Sequence, residues 1–372
     1  MSGPTGIKRV VVFIQENHTT DNYFGGLAPY GANVATGWPV QPNPPLADPR
    51  HDRVSYDRWL TGGGTASHTQ FDTVKDLPFY AYLALTGAFF ENHCSGFGTN
   101  STPNHLLLVG GQSPTLKNPS RRQPPPLWDM PSVPGLADDN GLSWRCYTGS
   151  GDYPAGFYQQ LKGSPNLVPS SDFVRDAQAG ELPALSYVWH NSPEDEHPLA
   201  DVSIGMNKIW ESVDAVVQSG GWQETVFFLT WDDWGGWDDH VATPNVEHTG
   251  DGVQLAYGPR VALLVFGGQV KQVIDSRWSS HVDVPKTVIQ LLGLPALGVP
   301  RVDSSEGLAD VTDPSLQQPP PPSPGSGITL PDPPNPAPQP RPLPPSPGPS
   351  ELVGRVLLRN GSTLPPPNDV TL

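Results

Sequence analysis

The segment Thr225–Pro244, TVFFLTWDDWGGWDDHVATP, constrains the chain most. Its start, Val226–Leu229, is a run of β-branched and aromatic residues with the length and patterning of a buried strand. Immediately beyond come Asp232–Asp233, Gly235–Gly236 and then Asp238, Asp239 and His240, so four carboxylates and an imidazole lie within nine positions. Ligands collect outside the carboxyl ends of strands in open α/β sheets. Carboxylates at this density repel one another, and a cation or bound protons must hold them together. The two glycines permit a sharp turn or a close backbone approach. The competing reading is a solvated acidic loop. The sharper reading is a hydrolase metal site.

Other stretches repeat the arrangement of a buried strand ending in polar groups. Lys8–Gln15, KRVVVFIQ, runs into Glu16, Asn17 and His18. Leu182–Trp189 ends at His190 and is followed by Glu196–His197–Pro198. Val261–Phe266 is a further apolar run. Helical spacing appears in Leu77, Tyr80, Ala81, Ala84 and Leu85. It recurs in Ile209, Val213, Val216 and Val217, behind a cap at Asp201 or Ser203 and closed by Gly220–Gly221, and again in Val282–Leu292, closed by Gly293. Strands alternating with helices predict a three-layer α/β/α sandwich with a mainly parallel sheet. Leu27 to Asp72 and Gln112 to Pro169 read as mostly irregular, the second anchored by Trp128 and Trp144. Gly96–His105, GFGTNSTPNH, precedes the helical run Leu106–Val109. Its hydroxyls serve either as an N-cap or at an anion-favouring helix N-terminus.

The 47 prolines crowd towards the end of the 372-residue chain, dividing it into a core, residues 1–313, and a proline-rich segment, residues 314–350. The latter cannot bury a core and is expected to be a polyproline-like linker. Residues 351–372 contain GRVLLRNG, a short strand and an Asn-Gly turn. A net charge of −16 argues against a nucleic-acid groove and against charge-driven docking on anionic lipid. No apolar run has membrane-spanning length, and Met1–Gly6 lacks the pattern of a signal peptide. The two cysteines, Cys94 and Cys146, supply no disulfide framework, and they read as separate buried thiols or one bridge.

Taken in order, FIQENHTTDNYFG, STPNH, EHP, TWDDWGGWDDHV, GPRVALLVF and SHVDVPKTVIQLLGL resemble the phosphoesterase family of bacterial phospholipases C and related acid phosphatases, within the alkaline-phosphatase-like superfamily. The resemblance spans about residues 7–310 and implies an alkaline-phosphatase-like fold and hydrolysis of phosphoric esters. It implies metal ligation by Glu16, Asn17, Asp232 and Asp233, with Ser101 as nucleophile and fifth ligand and Thr102 as its neighbour to test. His240 and His197 are then expected at the phosphoryl group or its leaving oxygen, and His51, with His68 behind it, is the best match to a further upstream histidine. Asn104 of the Pro-Asn pair is a candidate substrate contact. Asp233 stands where the family has Glu, and His105 where it has Arg. The family also implies a secreted or periplasmic setting.

The chemistry of these residue types agrees with that assignment. A divalent cation held by hard oxygens (Ca, Mg, Mn or Zn) would offset phosphoryl charge and ease ionisation of a serine hydroxyl. Histidines, with ordinary pKa near 6.5, are suited to moving protons. Small phosphate esters and phospholipid headgroups are the expected partners. Trp234 and Trp237, beside the glycines, are candidates for a substrate wall able to meet a quaternary ammonium. The alternative is a non-catalytic binding or surface-interaction protein that retains the fold.

Overall fold

The computed structural model describes residues 6–120, 122–149, 151–248, 254–345, 356–357 and 363–364. Its central sheet contains Arg9–Gln15 (β1), Ala88–Phe90 (β2), Trp144–Thr148 (β3), Leu167–Pro169 (β4), Leu185–Trp189 (β5), Thr225–Trp231 (β6), Leu263–Phe266 (β7) and Val273–Asp275 (β8), in the spatial order β8-β2-β7-β6-β1-β5-β3-β4. β1 is parallel to both its neighbours, β5 and β6, and the parallel run continues through β3 to β4. β7 is antiparallel to β2 and β6, whereas β8 is parallel to β2.

Alternation of side chains along each strand divides the interior in two. Val10, Val12 and Ile14 of β1, with Val226 and Phe228 of β6, enter one core; Val11 and Phe13, with Phe227 and Leu229, enter the other. The major helices are Pro78–Thr86 (α1), Ser101–Gly110 (α2), Asp172–Gln178 (α3), Val202–Gln218 (α4) and Asp283–Leu292 (α5). Helices α2 and α5 cover the first core, and α1, α3 and α4 the second. The three-layer sandwich expected from the alternating pattern is therefore present. Local signals behave as their chemistry requires: the Asp201 carboxylate caps α4 by accepting from Ser203 N, and Gly293 ends α5 in the left-handed region at φ 65°.

Two stretches read as irregular also hold elements that the sequence reading did not place. Gln112–Pro169 is mostly without helix or strand, as expected, but it contributes a helix, Val133–Asp139, and the strands β3 and β4. WRCYT lacks a continuous apolar signature because Arg145 reaches across to Asp176 on α3 at 2.5 Å. The Leu27–Asp72 stretch likewise contains a helix, Arg53–Leu60, capped by Asp52. Cys94 and Cys146 are both buried free thiols. No helix among the described residues is long and apolar enough to cross a membrane. Residues 314–345 contain neither helix nor strand. Val356–Leu357 pairs antiparallel with Thr363–Leu364, and the Asn360–Gly361 turn signal lies outside the described residues.

Phe228 is fully buried at the centre of the sheet. Phe228→Ala is expected to cost about 3–5 kcal/mol, combining lost burial with a residual cavity. The loss should appear as a lower denaturant midpoint at unchanged m-value in equilibrium unfolding.

Candidate active site

Because β1 and β6 are parallel neighbours with Gln15 opposite Trp231, the residues that follow them, Glu16 and Asp232, emerge side by side. The backbone N–H of Asp232 donates to the Gln15 carbonyl at 3.0 Å, and Asn17 N donates to Asp232 Oδ1 at 2.9 Å. Asn17 sits in the left-handed region, φ 66°, where a non-glycine residue is uncommon. Gly235 packs directly on it: a Cβ there would lie 2.1 Å from Asn17 O.

Helix α2 supplies another wall. Ser101, in its first turn, has Oγ 3.3 Å from Glu16 Oε2 and 3.4 Å from Asp233 Oδ2. One turn later, His105 Nε2 lies 3.0 Å from Glu16 Oε1 and 3.5 Å from Asp232 Oδ2. The Trp189 indole N–H donates to His105 Nδ1 at 3.2 Å, so Nδ1 is the accepting nitrogen and Nε2 carries hydrogen toward the carboxylates. The connection after β5 closes the third side: Glu16 N donates to Asp195 O at 2.8 Å, and Asp195 Oδ1 accepts from His197 N at 3.0 Å.

Electrostatically the cluster is short of positive charge. Burial, followed by the charge of Glu16, pushes Asp232 up to about 6. Burial and then Asp232 push Asp233 well above the ordinary carboxylate range. Burial works in the same direction on Glu16, but the His105 hydrogen bond and the surrounding imidazoles hold it below its usual value. Asp232 Oδ2 is buried without a hydrogen-bond partner. The Asn17 amide with nitrogen toward the carboxylates donates to Asp232 Oδ1 at 3.1 Å and Asp233 Oδ1 at 3.3 Å, while its oxygen accepts from His197 Nε2 at 3.1 Å. The reverse orientation turns an oxygen into the cluster, which only a cation would stabilise. Glu16, His105 and Asp232 offer ligand atoms within 4.8 Å of one another. With His105 Nε2 protonated, the oxygens of Glu16, Asp232, Asp233, Ser101 and Asn17 are the donors suited to a hard cation.

The other residues singled out in the sequence divide between this cluster and elsewhere. His51 and His197 face each other with ring centroids 6.4 Å apart, both close enough to lower the pKa of Glu16. Thr102 lies beside Ser101, but its hydroxyl bonds to Tyr153 OH at 3.0 Å rather than to a carboxylate. Asn104, expected at the substrate, is fully buried and its amide is committed to Phe97 N and O, shaping the loop before Ser101. Trp234 and Trp237 are each 1% exposed and cannot form an open wall. Trp234 packs on Tyr56 and Trp59 and donates to His51 O, whereas Trp237 stacks on His18. His68 pairs with Asp238 on the exposed side, its ring tilted 35° against Trp38 at 3.9 Å between centroids.

His240 belongs to a second cluster. Its Nδ1 lies 2.6 Å from Asp21 Oδ2, while Arg260 joins Asp21 at 3.0 Å and Asp239 at 2.8 Å. Asp21, Asp239 and His240 could also be read as ligands, but the buried guanidinium already occupies the space between the carboxylates and supplies their countercharge. Asp195 and Tyr153 are site residues that the sequence reading missed. Asp195, next to the EHP motif, is pushed up to about 6 by burial and by Glu16. Tyr153, in the stretch read as irregular, packs edge-on against His105.

Comparison with known proteins supplies the lineage. The model of the phosphoesterase family matches residues 48–295, two-thirds of the chain. The chain belongs to the phosphoesterase family. That match contains Ser101, His105, His197, Asp232 and Asp233, while Glu16 and Asn17 precede it. Phospholipase C A of Mycobacterium tuberculosis is 23% identical over 314 residues, covering 64% of this chain and 60% of the relative. Non-specific phospholipase C1 of Arabidopsis thaliana is 27% identical over 180 residues, covering 45% and 33% respectively. This phosphoesterase thus spans less than two-thirds of the length of these relatives. Among solved structures, a protein of the alkaline phosphatase superfamily from Vibrio parahaemolyticus aligns with TM-score 0.49 at 15% identity, covering 82% of this chain and 72% of that one.

In this phosphoesterase the loop carrying Asp195 and His197 is anchored by the residue between them. Glu196, at φ 69°, turns its carboxylate inward, where it accepts from Gln15 Nε2, Tyr23 OH and Trp231 Nε1 at 2.9 Å each and from Tyr80 OH. Burial nevertheless dominates and pushes its pKa from 4.5 up to about 7. A raised acid pKa means the folded state holds the proton more tightly than the unfolded state. Its contribution is fully present below pH 4.5 and lost as pH rises through about 7. Glu196→Gln should flatten this part of the stability–pH curve, removing a slope worth on the order of 3 kcal/mol. Urea unfolding of both proteins across that window checks it, and parallel curves would exclude the assignment.

Proposed function

We propose that this phosphoesterase hydrolyses phosphoric esters with Ser101 as nucleophile and a divalent cation held by Glu16, Asn17, Asp232 and Asp233. The observation that carries the reading is the position of Ser101 Oγ, in the first turn of a ten-residue helix and between the carboxylates of Glu16 and Asp233. When bound, a hard or borderline cation (Ca, Mg, Mn or Zn) neutralises phosphoryl oxygens and lowers the cost of ionising the hydroxyl.

The chain's own groups provide the remaining chemistry. Ser101 Oγ attacks phosphorus, its proton passing to Glu16 or Asp233, and the phosphorus–leaving-oxygen bond breaks to give a phosphoserine ester. The positive end of the α2 dipole favours the negative phosphoryl group, while Thr102 N–H is already given to Asn118 Oδ1 at 2.7 Å and Pro103 has no N–H to offer. His197 Nδ1 is held 2.6 Å from Pro198 O and therefore donates there, leaving Nε2 to exchange protons with the leaving oxygen. Burial opposes a charged His197, but Glu16, Asp48 and Asp195 raise its pKa above the ordinary value. That direction suits His197 to donating a proton to the leaving oxygen. After protonating the leaving group it accepts a proton from the water that attacks phosphorus. The phosphorus–Oγ bond breaks, the phosphate product leaves, and Ser101 Oγ recovers its proton from the carboxylate that took it, with His51 beside His197.

The named relatives are phospholipases C. An ester of a phospholipid headgroup is therefore the first substrate class to assay, beside a small phosphomonoester. A chromogenic phosphorylcholine ester turned over faster than the corresponding monoester would assign the phospholipase C type, and the reverse a phosphatase. Ser101→Ala is expected to lower kcat/KM on the better substrate by about 10³-fold or more. Retention of the full rate would discard Ser101 as nucleophile. Elemental analysis of purified wild type should find roughly one divalent cation per chain, lost in Asp232→Ala. Metal-free wild-type protein with undiminished hydrolysis would reject the cation.

A further inference from the structure

Residues 314–345 do not behave as a spacer. Trp210 and Trp222, at α4 and just beyond it, are each only 7% exposed, and their indole N–H groups donate to Pro322 O at 2.6 Å and Gln318 O at 2.8 Å. Farther along, Tyr30 OH donates to Pro331 O at 2.8 Å and Trp278 Nε1 to Pro344 O at 3.0 Å. Between these points Ile328 and Leu330 pack on the second core, and Arg341 donates to Ile274 O on β8, the last strand of the sheet. A cavity of about 450 Å³ lies between the segment and the domain, walled by Tyr30, Leu85 and Ile274 on one side and Pro331, Pro334 and Pro338 on the other.

We propose that this flank, running from α4 to β8, is a polyproline-recognition surface whose ligand is the chain's own proline-rich segment, bound in cis. Proline lacks an N–H, so a proline-rich strand keeps its carbonyls free for outside donors, and its fixed φ lowers the entropy lost on docking. Tryptophan and tyrosine offer both an apolar face and one polar hydrogen, the combination used by aromatic grooves that bind such strands. Charge contributes little, because the only ionisable side chains in residues 314–345 are Asp332 and Arg341. The docked segment also covers the outer edge of β8, whose unpaired backbone would otherwise offer a template for further strands.

The full-length chain tests this by subtilisin digestion between Gly325 and Leu330, compared with a synthetic peptide of residues 314–345. The segment in the protein should be cleaved at least about tenfold more slowly than the peptide, equally at low and high salt. In the full-length triple variant Trp210→Phe, Trp222→Phe and Trp278→Phe, which keeps an aromatic ring at each position but removes the N–H donor, that protection should fall toward the peptide rate. Cleavage of wild type at the peptide rate, or unchanged protection in the triple variant, overturns the proposal. A second measurement does not depend on the variant folding. The full-length chain with its three tryptophans intact and a protease site inserted between Asp313 and Pro314 should, once cut, retain the fragment in gel filtration and exchange it for labelled peptide. Immediate separation with no peptide uptake overturns the proposal, and co-elution only as a dimer assigns the segment to a second copy rather than to cis binding, which overturns it too.

Discussion

Mutual repulsion among Glu16, Asp232 and Asp233 is the constraint that the surrounding structure answers. Two of these carboxylates are brought together by strand pairing itself, since β1 and β6 run parallel in a register that ends both at one level. Burial makes the repulsion expensive, because charges removed from water are poorly screened. The neighbours reduce that cost in different ways. His105, oriented by Trp189, turns a hydrogen toward Glu16, and Asn17 is held in a left-handed conformation by the close approach of Gly235.

The contrast with the Asp21–Asp239–His240 cluster is informative, because both groups combine carboxylates and imidazole in similar proportions. One contains a buried guanidinium between its carboxylates; the other contains a serine hydroxyl and an unpartnered carboxylate oxygen. Composition does not separate a structural ion network from a reactive site. What separates them is whether a permanent countercharge, the guanidinium, is built into the chain. The proposed cation belongs to the cluster whose chain-borne partner is the titratable imidazole of His105.

Strain is concentrated in the same place. Among the described residues, the non-glycine positions with positive φ are Asn17 and Glu196, one beside the carboxylates and the other under the loop that carries His197. Each is over-determined by neighbours, Asn17 by Gly235 and Glu196 by four donors from the core. Residues that function through position need this rigid backing more than they need favourable local backbone energy.

Much of the layered architecture was legible in the chain because it depends on local periodicity. Continuous apolar runs at Lys8–Gln15 and Val226–Leu229 mark strands covered on both faces, and the polar residues following them mark the functional edge. The grouping of Glu16, Asn17, Ser101, Asp232 and Asp233 was implied by the resemblance to the phosphoesterase family, carried by the ordered motifs rather than by periodicity. The fates of Trp234, Trp237, Asn104 and His240 were not legible, since a tryptophan beside a glycine or a histidine after two aspartates has the same sequence whether it faces solvent, core or ligand. Only tertiary packing decided that His240 would join Asp21 and Arg260 and that the proline-rich segment would lie against Trp210, Trp222 and Trp278, which stand 112, 96 and 66 residues before the carbonyls they meet. Asn104 folds back on Phe97, seven residues before it, to brace the loop that leads to Ser101. Periodicity reports which face of an element is apolar. It carries no information about which remote residue will fill the space opposite.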